Sequence, residues 1–170
     1  MADFILSLAT LIDAPRDCKP IEQAARILQR DMRETLTGRG PQNEIRIVLD
    51  DRLPAEHYTA QVQENELLLT CGDDLGAVYA LLSVSERCLG IPPLGWWMGL
   101  NPVKRSSVSV PGQSWRSPEY KVRYRCWFAN DEVLFTGWHM EEAARVGVWR
   151  RLFETILRCG GNMVIAGTDR

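Results

Sequence analysis

Residues 123–138 read Arg-Tyr-Arg-Cys-Trp-Phe-Ala-Asn-Asp-Glu-Val-Leu-Phe-Thr-Gly-Trp, and the chain changes character within them. A strand-forming run over Lys121 to Ala129 ends in three adjacent polar groups, Asn130, Asp131 and Glu132. A helix is predicted over 141–158, with Ala144, Val148, Leu152, Phe153, Ile156 and Leu157 on its apolar face and Gly160-Gly161 as its stop. Asn162 to Ala166 begins another strand. Strand, loop, helix, strand is a βαβ unit, and such a unit requires parallel strands. Two parallel strands alone leave faces and an edge of the sheet open. The second half of the chain therefore reads as the start of a larger parallel sheet.

Upstream lies what reads as a finished small domain. Phe4 to Thr10 is rich in strand formers, and 13–17 reads as a turn. From Pro20 the period changes. Ile21, Ala24, Ala25, Leu28, Met32, Thr35 and Leu36 recur at three- and four-residue spacing, which predicts a helix that starts at a tolerated proline and stops at Gly38. Glu44 to Leu49 is a strand. His57 to Val62 and Glu66 to Thr70 flank a polar Gln63-Glu64-Asn65 turn and predict a hairpin. Gly72-Asp73-Asp74 supplies an N-cap for a helix over 75–89. That helix is apolar on nearly every side, so it belongs between layers rather than on a surface. Val103 to Val110 reads as a final strand, and the Pro-, Gly- and Ser-rich 111–118 as a linker. The expected fold is α/β (α+β): residues 1–112 form a small β-sheet packed against two helices, and 113–170 form the incomplete βαβ start of a (β/α)8 barrel.

Composition excludes several classes. Twenty Lys and Arg against 22 Asp and Glu give a net charge of -2 with no basic stripe, so nucleic acid and anionic membranes are not expected partners. No apolar run reaches the ~20 residues that span a bilayer. Five widely spaced cysteines, no C-x-x-C and two histidines predict no metal, no cofactor and no disulfide framework, and they fit a cytoplasmic setting. Cys88 and Cys159 fall in helix patterns that suit buried thiols. The Trp96-Trp97 pair is expected to pack, with one ring partly exposed. His57 and His139 have no nucleophile at a telling spacing, so no triad is expected.

In a (β/α)8 barrel the groups after a strand, on the βα loop, face the ligand. Asn130, Asp131 and Glu132 hold that position, although a polar triplet there also suits a simple loop cap. The residues Tyr124, Arg125, Phe128, Asn130, Asp131 and Glu132 resemble the first barrel strand of glycoside hydrolases related to family 115, the α-glucuronidases acting on xylan side chains. Phe153, Arg158, Gly161 and Asn162 resemble that barrel's following helix and second strand. Gly76, Tyr79, Ala80, Glu86, Gly90, Trp96 and Trp97 resemble the domain that precedes it. Departures from the pattern are Cys126 for a glycine, Ala80 for a glycine after Tyr79, and Met163 to Thr168 for an aromatic run. They point to a related branch of different specificity.

The resemblance implies a carbohydrate substrate, contacted by Arg125, Asn130, Asp131 and Glu132, and a parent enzyme whose acid and base lie on later strands. Glycosidases need two carboxyl groups across the scissile bond, so no catalytic residue is expected in this chain and it alone should be inactive. Self-association through the unfinished sheet is expected as well. The alternative is a free-standing, non-catalytic carbohydrate-binding or interaction module.

Overall fold

The computed structural model describes residues 3–112, 114–129 and 142–166. Its elements in chain order are β1 (Phe4–Leu6), β2 (Leu11–Asp13), α1 (Lys19–Thr35), β3 (Glu44–Leu49), β4 (Tyr58–Val62), β5 (Glu66–Cys71), α2 (Asp74–Leu89), β6 (Val108–Val110), β7 (Ser114–Arg116), β8 (Cys126–Ala129), α3 (Glu142–Arg158) and β9 (Met163–Ala166). The mixed α+β architecture agrees with the reading from sequence.

Five strands form the main sheet in the order β2-β3-β5-β4-β7. β2, β3 and β5 run parallel, while β4 is antiparallel to both β5 and β7. Alternate residues Ile45, Ile47, Ala60, Leu67, Leu69 and Cys71 are buried and join one core with α1 and α2. This alternation is the period-2 signature of a sheet packed on one face. From α1 the core takes Ile21, Ala24, Ala25, Leu28 and Met32, the predicted apolar stripe. Each fully buried Ile or Leu contributes about 1.5–3 kcal/mol relative to exposure. α2 is buried from Gly76 to Ser85 and again at Cys88 and Leu89, as its all-round apolar sequence requires. Asp73 caps it, accepting from the Gly76 N–H at 2.7 Å, and Gly90 closes it at φ 73° in the left-handed region.

Four local expectations are corrected. The single strand over 4–10 splits into β1 and β2. The Thr10 hydroxyl accepts from the Ser7 N–H at 3.0 Å, and the Ser7 hydroxyl accepts from the Ala9 N–H at 3.1 Å, closing a turn where the strand would have continued. The strand over 103–110 shrinks to β6, which pairs with β1 outside the main sheet. α1 ends at Thr35, before Gly38, with Leu36 extended. Gly38 serves close approach instead, because a Cβ there would lie 2.8 Å from the Ser106 carbonyl oxygen. The segment read as a linker contains β7, whose residues Ser114–Arg116 pair with β4.

The βαβ reading is borne out. β8 and β9 pair in parallel, with Cys126 opposite Met163 and Ala129 opposite Ala166. β8 is shorter than the expected 121–129 run. The Arg125 N–H donates to the Asn162 side chain at 2.9 Å instead of entering a ladder. Cys88 is buried as expected, whereas Cys159 lies just past α3 and is exposed.

Candidate functional site

Asn130, Asp131 and Glu132 lie outside the described residues. They follow Ala129 directly, so they leave β8 at its carboxyl end. Ala129 is only 2% exposed and packs with Leu152 and Ile156 of α3 and with Trp97 and Trp149. Trp97 donates its indole N–H to the Thr155 hydroxyl at 2.8 Å and meets Trp96 edge to face at 4.8 Å. The two tryptophans therefore pack, with Trp96 the partly exposed one.

Arg125 stands at the other end of β8, ~13 Å away at about 3.3 Å per strand residue. Its guanidinium is fully occupied there. Nε donates to the Gly160 carbonyl at 2.6 Å and Nη1 to the Val122 carbonyl at 3.1 Å. Nη2 is ion-paired with Glu56, and the group stacks 3.8 Å from the Tyr120 ring centroid. The expectation that Arg125 shares a ligand-facing rim with Asn130–Glu132 is corrected by this geometry. Its bonds fix the strand from below.

Glu56 is a residue that the sequence reading missed. It sits at φ 66°, unusual for a non-glycine residue, held by its N–H donating to Asp73 at 2.8 Å. Its carboxylate accepts from Arg125 and, at 3.0 Å, from the Asn162 side-chain amide. Burial works to raise the Glu56 pKa, but the hydrogen bonds from Arg125 and Asn162 outweigh it and hold the carboxyl below its ordinary value. Tyr79 of α2 adds a hydroxyl donating to the Gly161 carbonyl at 2.8 Å. A Cβ on Gly161 would lie 2.6 Å from an Ile156 methyl, so only glycine lets β9 start this close to α3. The Gly160-Gly161-Asn162 run is thus the docking point of the βαβ unit on the first sheet and its helices.

A second cross-link joins α1 to α3. Arg30 donates to both oxygens of Glu154 at 2.9 and 2.7 Å and to Asp31 at 2.7 Å. Arg158 donates to Glu154 at 3.0 Å and is ion-paired with Asp31. Burial opposes charge on Glu154, yet Arg30 and Arg158 keep its pKa below the ordinary value. These groups are committed to one another and form a structural network.

The β8–β9 pair is covered on one side only. Ala129 shares its face with Trp127, toward α3 and Trp97, while Cys126, Phe128 and Ile165 share the opposite face. Phe128 is 50% exposed and Ile165 42%. Among the described residues neither strand has another neighbour, and no group of His, Cys, Asp and Glu could hold a metal ion. No helix among them is long and apolar enough to cross a membrane.

This architecture is one that glycoside hydrolases of two families contain. BtGH115A, a family GH115 4-O-methyl-α-glucuronidase with specificity for decorated arabinogalactans, matches with a TM-score of 0.77 at 22% identity, over 97% of this chain and 26% of that one. A GH20 exo-β-N-acetylglucosaminidase from Vibrio harveyi matches with a TM-score of 0.65 at 14% identity, over 98% of this chain and 23% of its own. A β-hexosaminidase from Streptomyces plicatus gives 0.65 at 16%, over 97% and 31%. At these identities the likeness is one of fold, and this chain spans under a third of each enzyme's length. Residues 117–169 match the sequence model of glycosyl hydrolase family 115, so the relationship read from the Asn-Asp-Glu stretch is borne out. No curated protein sequence matches the chain.

Proposed function

We propose that this chain is the N-terminal part of a glycoside hydrolase of α-glucuronidase-like type acting on a complex glycan. In this reading residues 1–112 form an accessory domain, and 113–170 supply the first βαβ unit of a (β/α)8 catalytic barrel of ~250 residues. One observation supports it above the others: β8 and β9 are parallel, covered by α3 on one side and bare on the other, within the segment that matches family 115. A barrel needs that arrangement, with helices outside and side chains packed inside.

Asn130, Asp131 and Glu132 then position substrate at the carboxyl end of the first strand, and the acid and base come from later strands. Arg125 keeps its role at the base of β8. The carbohydrate substrate is the one partner this reading implies, and the cytoplasm is the expected compartment.

The test compares two proteins, the 170-residue chain and the product of the full reading frame. The full product should release a uronic acid from a decorated glycan, and Asp131→Ala in it should lower kcat/KM. The 170-residue chain should hydrolyse no aryl glycoside. Robust hydrolysis by the short chain, or a native stop codon after Arg170, would sink the proposal and favour a free-standing module.

A further inference from the structure

Arg158 uses two of its three nitrogens on carboxylates, Nε on Glu154 and Nη2 on Asp31. The third, Nη1, is buried and has no hydrogen-bond partner, and the side chain is only 5% exposed. Buried guanidinium donors without partners are rare and call for an explanation. In a planar guanidinium Nη1 lies on the side away from the Nε–Nη2 edge. It therefore faces away from Asp31 and Glu154. A cleft of about 540 Å³ is lined by Arg158 but by neither of those carboxylates. Its size falls within the roughly 300–1,000 Å³ of small-molecule sites.

The rest of that cleft has one chemical character. Arg87 and Arg116 line it, both exposed, and neither has an acidic partner among the described residues. Glu86 is its one carboxylate. Tyr58, Tyr79 and Tyr120 supply aromatic walls. Burial pushes the Tyr120 hydroxyl up to about 12, so it stays a neutral donor at physiological pH. Three guanidinium groups against one acid favour a ligand with negative charge, and forked donors suit paired oxygens.

We propose that this cleft binds a small oxyanion, with Arg158 Nη1 as the inner donor, Arg87 and Arg116 as outer donors, and the tyrosine rings as walls. The anion is the carboxylate of a sugar acid or a free phosphate. The site lies beside Gly160, at the end of β8 away from the residues that follow Ala129, and it does not depend on the glycosidase reading.

The full chain would be titrated with inorganic phosphate, a hexuronate and the matching neutral hexose, following tyrosine-ring and arginine Nε resonances by NMR. Saturable shifts at Tyr58, Tyr120 and Arg158 are expected with an anion and not with the hexose. Tighter binding of the hexuronate than of phosphate assigns a sugar acid, and the reverse order assigns free phosphate. Arg158 also holds α1 to α3, so the outer arginines are the ones to change. Arg87→Ala with Arg116→Ala should weaken binding about tenfold or more while leaving the circular dichroism spectrum unchanged. Absence of saturable shifts with either anion, equal binding of the neutral hexose, or unchanged affinity in the double variant would overturn the proposal.

Discussion

Asp31 of α1 and Arg158 at the end of α3, 127 positions apart, are ion-paired with side chains only 1% and 5% exposed. A pair this buried need not stabilise more than a well-packed apolar substitute, but breaking it strands a charge. Asp31→Asn is expected to cost about 3–5 kcal/mol. The loss should appear as a lower denaturant midpoint with an unchanged slope. Adding Arg158→Met should recover much of it, since the stranded guanidinium is then gone. A double variant no more stable than Asp31→Asn would show that the geometry of the pair matters more than its desolvation.

The two carboxyls held below their ordinary values, Glu154 and Glu56, set the direction of the pH dependence. Each is more acidic folded than unfolded, so below its ordinary value of 4.5 the unfolded chain holds the extra proton. The stability they contribute is complete above that value and is lost as pH falls through the folded value. Unfolding free energy should therefore be level near neutrality and drop on acidification past the ordinary carboxylate range. In Glu154→Gln the drop should be shallower. A steeper drop would contradict the assignment.

Glu56 and Arg125 make the corresponding contact at the base of β8, with side chains 23% and 17% exposed. Partial exposure weakens the pair, so Glu56→Gln is expected to cost about 1–3 kcal/mol. The informative readout is local. Amide exchange of β8 and β9 should quicken, while that of β3 and β5 stays unchanged, because Glu56 orients the residues where the two late strands begin. Uniform quickening would assign Glu56 a global role instead.

Sequence periodicity carried the parts of this fold that depend on near neighbours. The α1 stripe, the β4–β5 hairpin, the buried α2 with its Asp73 cap and the parallel β8–α3–β9 unit are all legible because each is set by spacing within about 20 residues. What escaped depends on distant partners. Glu56 bonds Arg125 69 positions away, and nothing local marks a glutamate at positive φ. β1 and β2 separated because Ser7 and Thr10 bonded backbone N–H groups, an alternative always open to hydroxyl side chains in a strand-like run. Arg125 sat inside a motif whose other members lie past Ala129. A motif gives adjacency in sequence, and only the strand direction shows which end each residue occupies.

Two glycines of the βαβ unit should respond oppositely to alanine. Gly147 lies inside α3, and a Cβ there would meet nothing within 4 Å. Gly147→Ala should stabilise by about 0.5–1 kcal/mol through helix propensity. At Gly161 the added Cβ would lie 2.6 Å from an Ile156 methyl and 3.0 Å from its carbonyl oxygen. Gly161→Ala should destabilise by about 1–3 kcal/mol as β9 is pushed off α3. Thermal unfolding of the two variants side by side checks both signs at once.

The bare face of β8–β9 makes the last prediction. Phe128 and Ile165 stand opposite each other in register, 50% and 42% exposed, with the exposed Cys126 on the same face. Paired strands with unpaired edges and an apolar face are templates for association. The 170-residue chain should therefore self-associate with increasing concentration and bind a hydrophobic dye. Phe128→Ser with Ile165→Thr should reduce both, and threonine keeps the strand propensity of Ile165. Light scattering across a concentration series separates this from unfolding, since a variant that merely unfolds would bind more dye. A chain that stays monomeric and dye-silent at every concentration would mean that this face is covered from within the chain.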